Sequence, residues 1–146
     1  MGSSQRGMSM VELLTVLAVV GLLMALAGEG FVSAASHYRA KGTAAEVAGE
    51  LRAARYLALM RGERLRVVFD VDQMKMRTEP ADRPNEPIRQ YDYRGKGVSF
   101  ERLPSGPSVM FYPSGRTASP ATIVLRNSRR EEWKITVSLT GKVSLS

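Results

Sequence analysis

From Met8 to Ala27 the chain reads MSMVELLTVLAVVGLLMALA, with Glu12 its one charged residue and no charge from Leu13 to Gly28. As a helix rising about 1.5 Å per residue, about 20 residues match the roughly 30 Å hydrocarbon thickness of a bilayer. Helix is the expected conformation, because a single segment in lipid must satisfy its backbone groups internally. The sequence has no second run of this kind. Beyond it Gly28-Glu29-Gly30 interrupts the apolar pattern. Each glycine weakens a helix by about 1 kcal/mol relative to alanine, which predicts a softened joint. Helical character resumes over 31–40, with Lys41-Gly42 as a second weak point. Thr43-Ala44-Ala45-Glu46 has the spacing of a capping box, and Ala44, Val47, Leu51, Ala54 and Ala58 then recur on one face. Residues 43–61 therefore read as an amphipathic helix that continues the apolar one and lays its apolar face on a sheet.

After Gly62 the period changes to that of strands. Residues 65–69 and 74–77 read as a hairpin about the turn 70–73, and 79–97 as a variable loop with a short edge strand at 89–93. Further strands are expected at 98–103, 108–112, 121–126, 133–139 and 142–145. Between them lie Pro104-Ser105-Gly106-Pro107, Pro113-Ser114-Gly115-Arg116, a bend at 127–130 and Thr140-Gly141. The organisation is thus a leader at 1–7, a membrane-spanning helix at 8–28, its amphipathic continuation at 29–61 and a β-rich head at 62–146. The fold class is α+β, a long N-terminal helix packed on an antiparallel β-sheet.

Charge adds a choice of partners. The chain carries 21 Lys plus Arg against 14 Asp plus Glu, and a pI near 10.1. Leaving out Arg6, Glu12 and Glu29, residues 30–146 hold 20 basic and 12 acidic side chains, a head charge of +8. Such a head favours anionic partners, nucleic acid or phospholipid headgroups. Arg126, Arg129, Arg130, Lys134 and Lys142 are the candidates to meet phosphates. Against this, Glu131 and Glu132 follow Arg129-Arg130 at once, and a solvated basic face explains most of these residues equally.

Catalytic and metal constellations are absent from the pattern, so neither an enzyme nor a cofactor is expected. There is no cysteine, and His37 is the single histidine, best read as a solvated or interfacial side chain. Asp70 and Asp72 flank a hairpin turn and favour the turn over a cation site. Arg94-Gly95-Lys96-Gly97 lacks the spacing of a phosphate loop, and Ser114 has no base to activate it.

The residues before the apolar run, MGSSQRG, carry one charge, Arg6, and a short positive leader places an N-terminus on the cytoplasmic side. Gly7, Met8, Ser9, Met10, Val11 and Glu12, followed by Leu-Leu-Thr-Val-Leu-Ala-Val-Val-Gly, resemble the class III signal of type IV pilins and type II secretion pseudopilins. The resemblance implies cleavage by a prepilin peptidase between Gly7 and Met8, N-methylation of Met8, and a role for Glu12 in meeting the N-terminal amine of an adjacent subunit. Phenylalanine is commoner where Met8 stands. A competing reading takes Ala25-Leu26-Ala27 as an ordinary signal-peptidase site, which would release a soluble domain.

One helix followed by many strands also resembles the GspH/FimT branch of minor pseudopilins and minor pilins. The match includes Leu51-Arg52-Ala53-Ala54-Arg55, Phe111-Tyr112-Pro113-Ser114-Gly115-Arg116 and the closing segment from Ile135 to Val143. It implies a pilin-like fold, a single-pass protein of the bacterial inner membrane with its head in the periplasm, and other pseudopilins or pilins as filament partners. Two functions follow: a structural subunit of a type II secretion pseudopilus, or a minor pilin of a type IV pilus whose head captures DNA. In DNA-binding relatives a glycine is followed by paired arginines in the last turn, whereas here Gly141 precedes Lys142, Val143 and Ser144.

Overall fold

The computed structural model describes residues 9–146. Helix α1, Met10–Arg61, is a single element of 52 residues. The interruption expected at Gly28-Glu29-Gly30 and the weak point at Lys41-Gly42 do not break it. Glycine costs a helix about 1 kcal/mol but keeps its N–H, so the i→i−4 ladder continues where a proline would have cut it. The capping box expected at Thr43 is also not formed. With the helix already running, the local amides have partners in the preceding turn. The Thr43 hydroxyl instead donates back to the Arg39 carbonyl at 3.0 Å, and the Glu46 carboxylate accepts from Tyr91 and Lys96.

The chain divides into two compact units, Met1–Ala35 and Ser36–Ser146. In the first, large apolar side chains from Met10 to Met24 stand exposed, and the helix is long and apolar enough to cross a membrane. Its one polar hydroxyl in this stretch, Thr15, is turned back onto the Val11 carbonyl at 2.8 Å, which satisfies it without water. These features fit membrane anchoring.

The second unit carries eight strands: β1 Leu65–Asp70, β2 Lys75–Pro80, β3 Arg89–Asp92, β4 Val98–Arg102, β5 Ser108–Phe111, β6 Ala121–Asn127, β7 Glu132–Val137 and β8 Val143–Leu145. They form not one sheet but two, each antiparallel and four-stranded, in the orders β3-β2-β1-β5 and β4-β6-β7-β8. Alternation assigns the inner faces: Leu65, Val67 and Phe69 of β1, Ile123 and Leu125 of β6, Trp133, Ile135 and Val137 of β7. Ala44, Val47, Leu51, Ala54 and Ala58 of α1 are fully buried in the same core, joined by Ala40 and Ala48. Four of the five expected helix positions are alanine or valine, which lets the backbone approach the sheets closely.

The β1–β2 hairpin pairs Leu65 with Pro80 and Asp70 with Lys75. Met74, expected to start β2, has φ of 54° and belongs to the turn, where Asp70 Oδ1 accepts the Gln73 amide at 2.9 Å. The strand runs on to Pro80, and with it Glu79, expected in a loop, becomes a buried carboxylate. Glu79 accepts from Arg66, its cross-strand partner, at 2.7 Å and from the Asn85 amide at 3.0 Å, so it ties the sheet to the loop before β3.

Candidate assembly and nucleic-acid surfaces

The sequence-expected site residues fall in three places. Gly7 and Met8 lie outside the described residues. Glu12 lies in the first turn of α1, where a carboxylate complements the exposed amides of a helix start. It is exposed, and no hydrogen bond or ion pair joins its carboxylate to another described residue.

The basic residues near the C-terminus do not form one patch. Arg126, on β6, is held by two carboxylates, Glu132 at 2.6 Å and Glu101 at 3.0 Å, and the hydrogen bond to Glu132, then the charge of Glu101, raise its pKa. Lys134, on β7, lines the same hollow of 440 Å³ as Arg126 and those two acids. Arg129 and Arg130 occupy the β6–β7 turn, where Arg130 takes φ of 65°. The buried Asn127 builds that turn: its Oδ1 accepts the amides of Arg129 and Glu131, each at 3.0 Å, and its Nδ2 donates to Glu131 at 2.6 Å. Lys142 lies apart, in the β7–β8 turn beside α1.

His37 is not simply solvated. Its Nδ1 stands 3.0 Å from Glu131 Oε1, and its ring packs 5.5 Å from that of Trp133. Hydrogen bonds from His37 and Asn127 hold the Glu131 carboxyl below its ordinary range. A second set of side chains fastens the β3–β4 region to α1. Glu50 takes two hydrogen bonds from Arg89, at 2.8 and 3.1 Å. Glu46 accepts from Lys96 and from the Tyr91 hydroxyl at 2.5 Å, and Lys96 lies 4.7 Å over the Tyr91 ring. These bonds, that to Lys96 foremost, lower the Glu46 pKa, while burial and Glu46 push the Tyr91 phenol up to about 12. The Arg94-Gly95-Lys96-Gly97 segment thus serves as a fastening.

The residue that sequence reading missed is Arg55. Its Nε donates to the Gly115 carbonyl at 2.9 Å and its Nη2 reaches the Thr140 carbonyl at 3.5 Å, while Arg52 Nη2 reaches Val143 O at 3.3 Å. Gly115 and Gly141 both sit in the left-handed region, at φ of 76° and 78°. Side chains at these positions would meet Leu59 and, at Gly141, the Gly115 carbonyl itself. Thr117 Oγ1 donates to Ser138 O at 2.9 Å and completes the junction. Three separated segments, around residues 51–55, 111–116 and 135–143, therefore meet in one clasp that joins the helix to a turn from each sheet. The family resemblance singles out the same three segments in the sequence, but nothing in them announces that they meet.

The comparisons with known proteins agree with this architecture. The family model "Type II transport protein GspH" matches residues 43–141, the stretch that holds the buried helix face and the clasp. The prokaryotic N-terminal methylation motif matches residues 2–28. No curated protein matches. Among solved structures, the type IV minor pilin FimU of Pseudomonas aeruginosa is similar with a TM-score of 0.65 at 15% identity, over 75% of this chain and 90% of that one. The minor pseudopilin EpsH from the type 2 secretion system of Vibrio cholerae is similar with a TM-score of 0.57 at 21% identity, over 74% of this chain and 96% of that one. With an N-terminal methylation motif on its apolar helix and the GspH pattern across its buried helix face and both sheets, the chain belongs to the GspH family of pilin-like subunits.

Proposed function

We propose that this protein is a minor pseudopilin, a structural subunit of a type II secretion pseudopilus. The observation that carries the reading is the exposed apolar helix, continuous with a small-residue face that seats the head, in a chain that matches the GspH family model. Prepilin peptidase cuts between Gly7 and Met8, Met8 is methylated, and the helix rests in the bacterial inner membrane with the head in the periplasm until assembly. Glu12 has no partner of its own among the described residues, and a carboxylate in an apolar setting costs about 2–3 kcal/mol on insertion scales. The methylated amine of a neighbouring subunit supplies the opposite charge and sets axial register.

Intact mass after co-expression with a prepilin peptidase tests the first step. Removal of the seven residues before Met8 from 146 leaves 139, whereas cleavage after Ala27 leaves 119. A 119-residue product would end the filament-subunit reading. Deletion of the gene then separates the machines: loss of protein secretion with pili intact supports the pseudopilus.

The head charge of +8 favours one second reading, a minor pilin that binds DNA for uptake. Arg129, Arg130, Lys134 and Lys142 would carry the phosphate contacts, with Arg126 weakened by Glu101 and Glu132. Binding by phosphate contacts falls steeply with salt, by about tenfold or more between about 50 and 200 mM for several contacts. Submicromolar binding retained at about 150 mM salt and lost in Arg129→Ala with Arg130→Ala would place DNA capture first.

A further inference from the structure

A hollow of 240 Å³ beside α1 is walled by Arg52, Arg55, Tyr56 and Leu59 of the helix and by Lys142 and Val143. No carboxylate lines it. Arg55 is committed to the clasp and Arg52 to a single long bond, but the exposed Lys142 ammonium has no partner among the described residues. Tyr56 and Leu59 remain 60% and 44% exposed, so the cations border apolar surface that none of the described residues covers.

The acids of the head are already spent elsewhere. Of the 12 side-chain carboxylates in Ser36–Ser146, ten lie within ion-pair distance of seven of its own arginines and lysines, and Glu131 lies against His37. Among the described residues of this unit, only Asp72 has no basic partner. On a second copy only Asp72 and Glu12 are acids without a basic partner among the described side chains; the proposed function commits Glu12 to a neighbour's methylated amine, and the +8 head of that copy would be repelled. A partner that fits must bring its own carboxylate together with apolar side chains.

We propose that this hollow docks a carboxylate-bearing apolar segment of a different filament subunit. The proposal rests on the filament-subunit reading and adds the chemistry of the neighbour. A carboxylate received by Lys142 and Arg52 gains charge-assisted hydrogen bonds while its apolar neighbours cover Tyr56 and Leu59. A single pocket of this size suits one acidic side chain better than the row of phosphates that a nucleic acid presents.

The test uses the full-length protein in detergent and three labelled probes: a peptide of alternating glutamate and leucine, its glutamine counterpart, and a single-stranded oligonucleotide. The glutamate peptide should bind about tenfold tighter than either other probe, and Lys142→Glu should cost it about tenfold. Lys75→Glu, the same charge change on β2, should leave binding within about twofold. The exposed Lys142 side chain has no hydrogen bond or ion pair to another described residue, and circular dichroism checks that the variant is folded. Absence of binding, preference for the oligonucleotide, or an equal loss in Lys75→Glu would each overturn the proposal. Cleavage after Gly7 in the parent chain is followed in parallel: normal processing without binding of the glutamate peptide sinks only this inference, whereas failed processing sinks the subunit reading.

Discussion

Arg55 and Gly141 share one space: a Cβ built on Gly141 would stand 2.7 Å from the Arg55 Nε that donates to the Gly115 carbonyl. The absence of a side chain at residue 141 is thus a condition for the clasp between the helix and both turns.

Gly141→Ala should therefore destabilise the head by about 2–4 kcal/mol, from the left-handed backbone and the displaced guanidinium together. Gly115→Ala meets only the flexible end of Leu59 and should cost about 1–2 kcal/mol. Thermal unfolding of the two variants checks the order, and equal stability would remove the clasp from the account.

Glu79→Ala should cost about 2–4 kcal/mol, since it strips a buried partner from Arg66 and from the Asn85 amide. Denaturant melts give the magnitude. Proteolysis in the loop between β2 and β3 should rise at the same time, because Glu79 is what ties that loop down.

Glu12→Leu should leave membrane residence and cleavage intact while it prevents incorporation into filaments. An uncharged residue enters lipid more easily than a carboxylate but cannot pair with an amine. Full complementation of a deletion strain by this variant would remove the charge pair from the mechanism.

Lowered carboxyl pKa values at Glu46 and Glu131 predict acid sensitivity. Each contributes stability that is fully present above the ordinary value of 4.5 and is lost as pH falls through the depressed folded value. Glu46→Gln should flatten the acid limb of the stability profile below about pH 4.5. The Tyr91 phenol has the opposite sign: its contribution is present below pH 10 and is lost as pH rises towards about 12. Burial raises the Tyr93 phenol as well, so the ultraviolet titration of Tyr91→Phe should lack one of the late-ionising phenols of the wild type.

The helix face was legible because Ala44, Val47, Leu51, Ala54 and Ala58 repeat at the helical period and period alone selects the buried side. The strands were legible for the same reason, though β2 starts one residue late because nothing local announces that Met74 takes a positive φ, and it runs three residues further, to Pro80. The capping box at Thr43 misled because its spacing is local, while the helix that overrides it starts 33 residues earlier, at Met10. Two sheets instead of one followed from strand order, which no single strand encodes. Arg55 was invisible as a clasp because its acceptors are backbone carbonyls 60 and 85 residues away, and a carbonyl leaves no mark in a sequence. The five basic candidates lie close together in sequence, but the turn at Asn127 and the carboxylates around Arg126 divide them in the fold.

The span of the clasp also orders events during synthesis. Arg55 cannot close on Gly115 and Thr140 until all three have left the ribosome, and by then the apolar helix, made first, is already available to the membrane. A nascent chain interrupted before residue 140 is therefore unlatched, with its loose turns open to proteases. Completion of the polypeptide, and not insertion, is the event that makes the subunit durable.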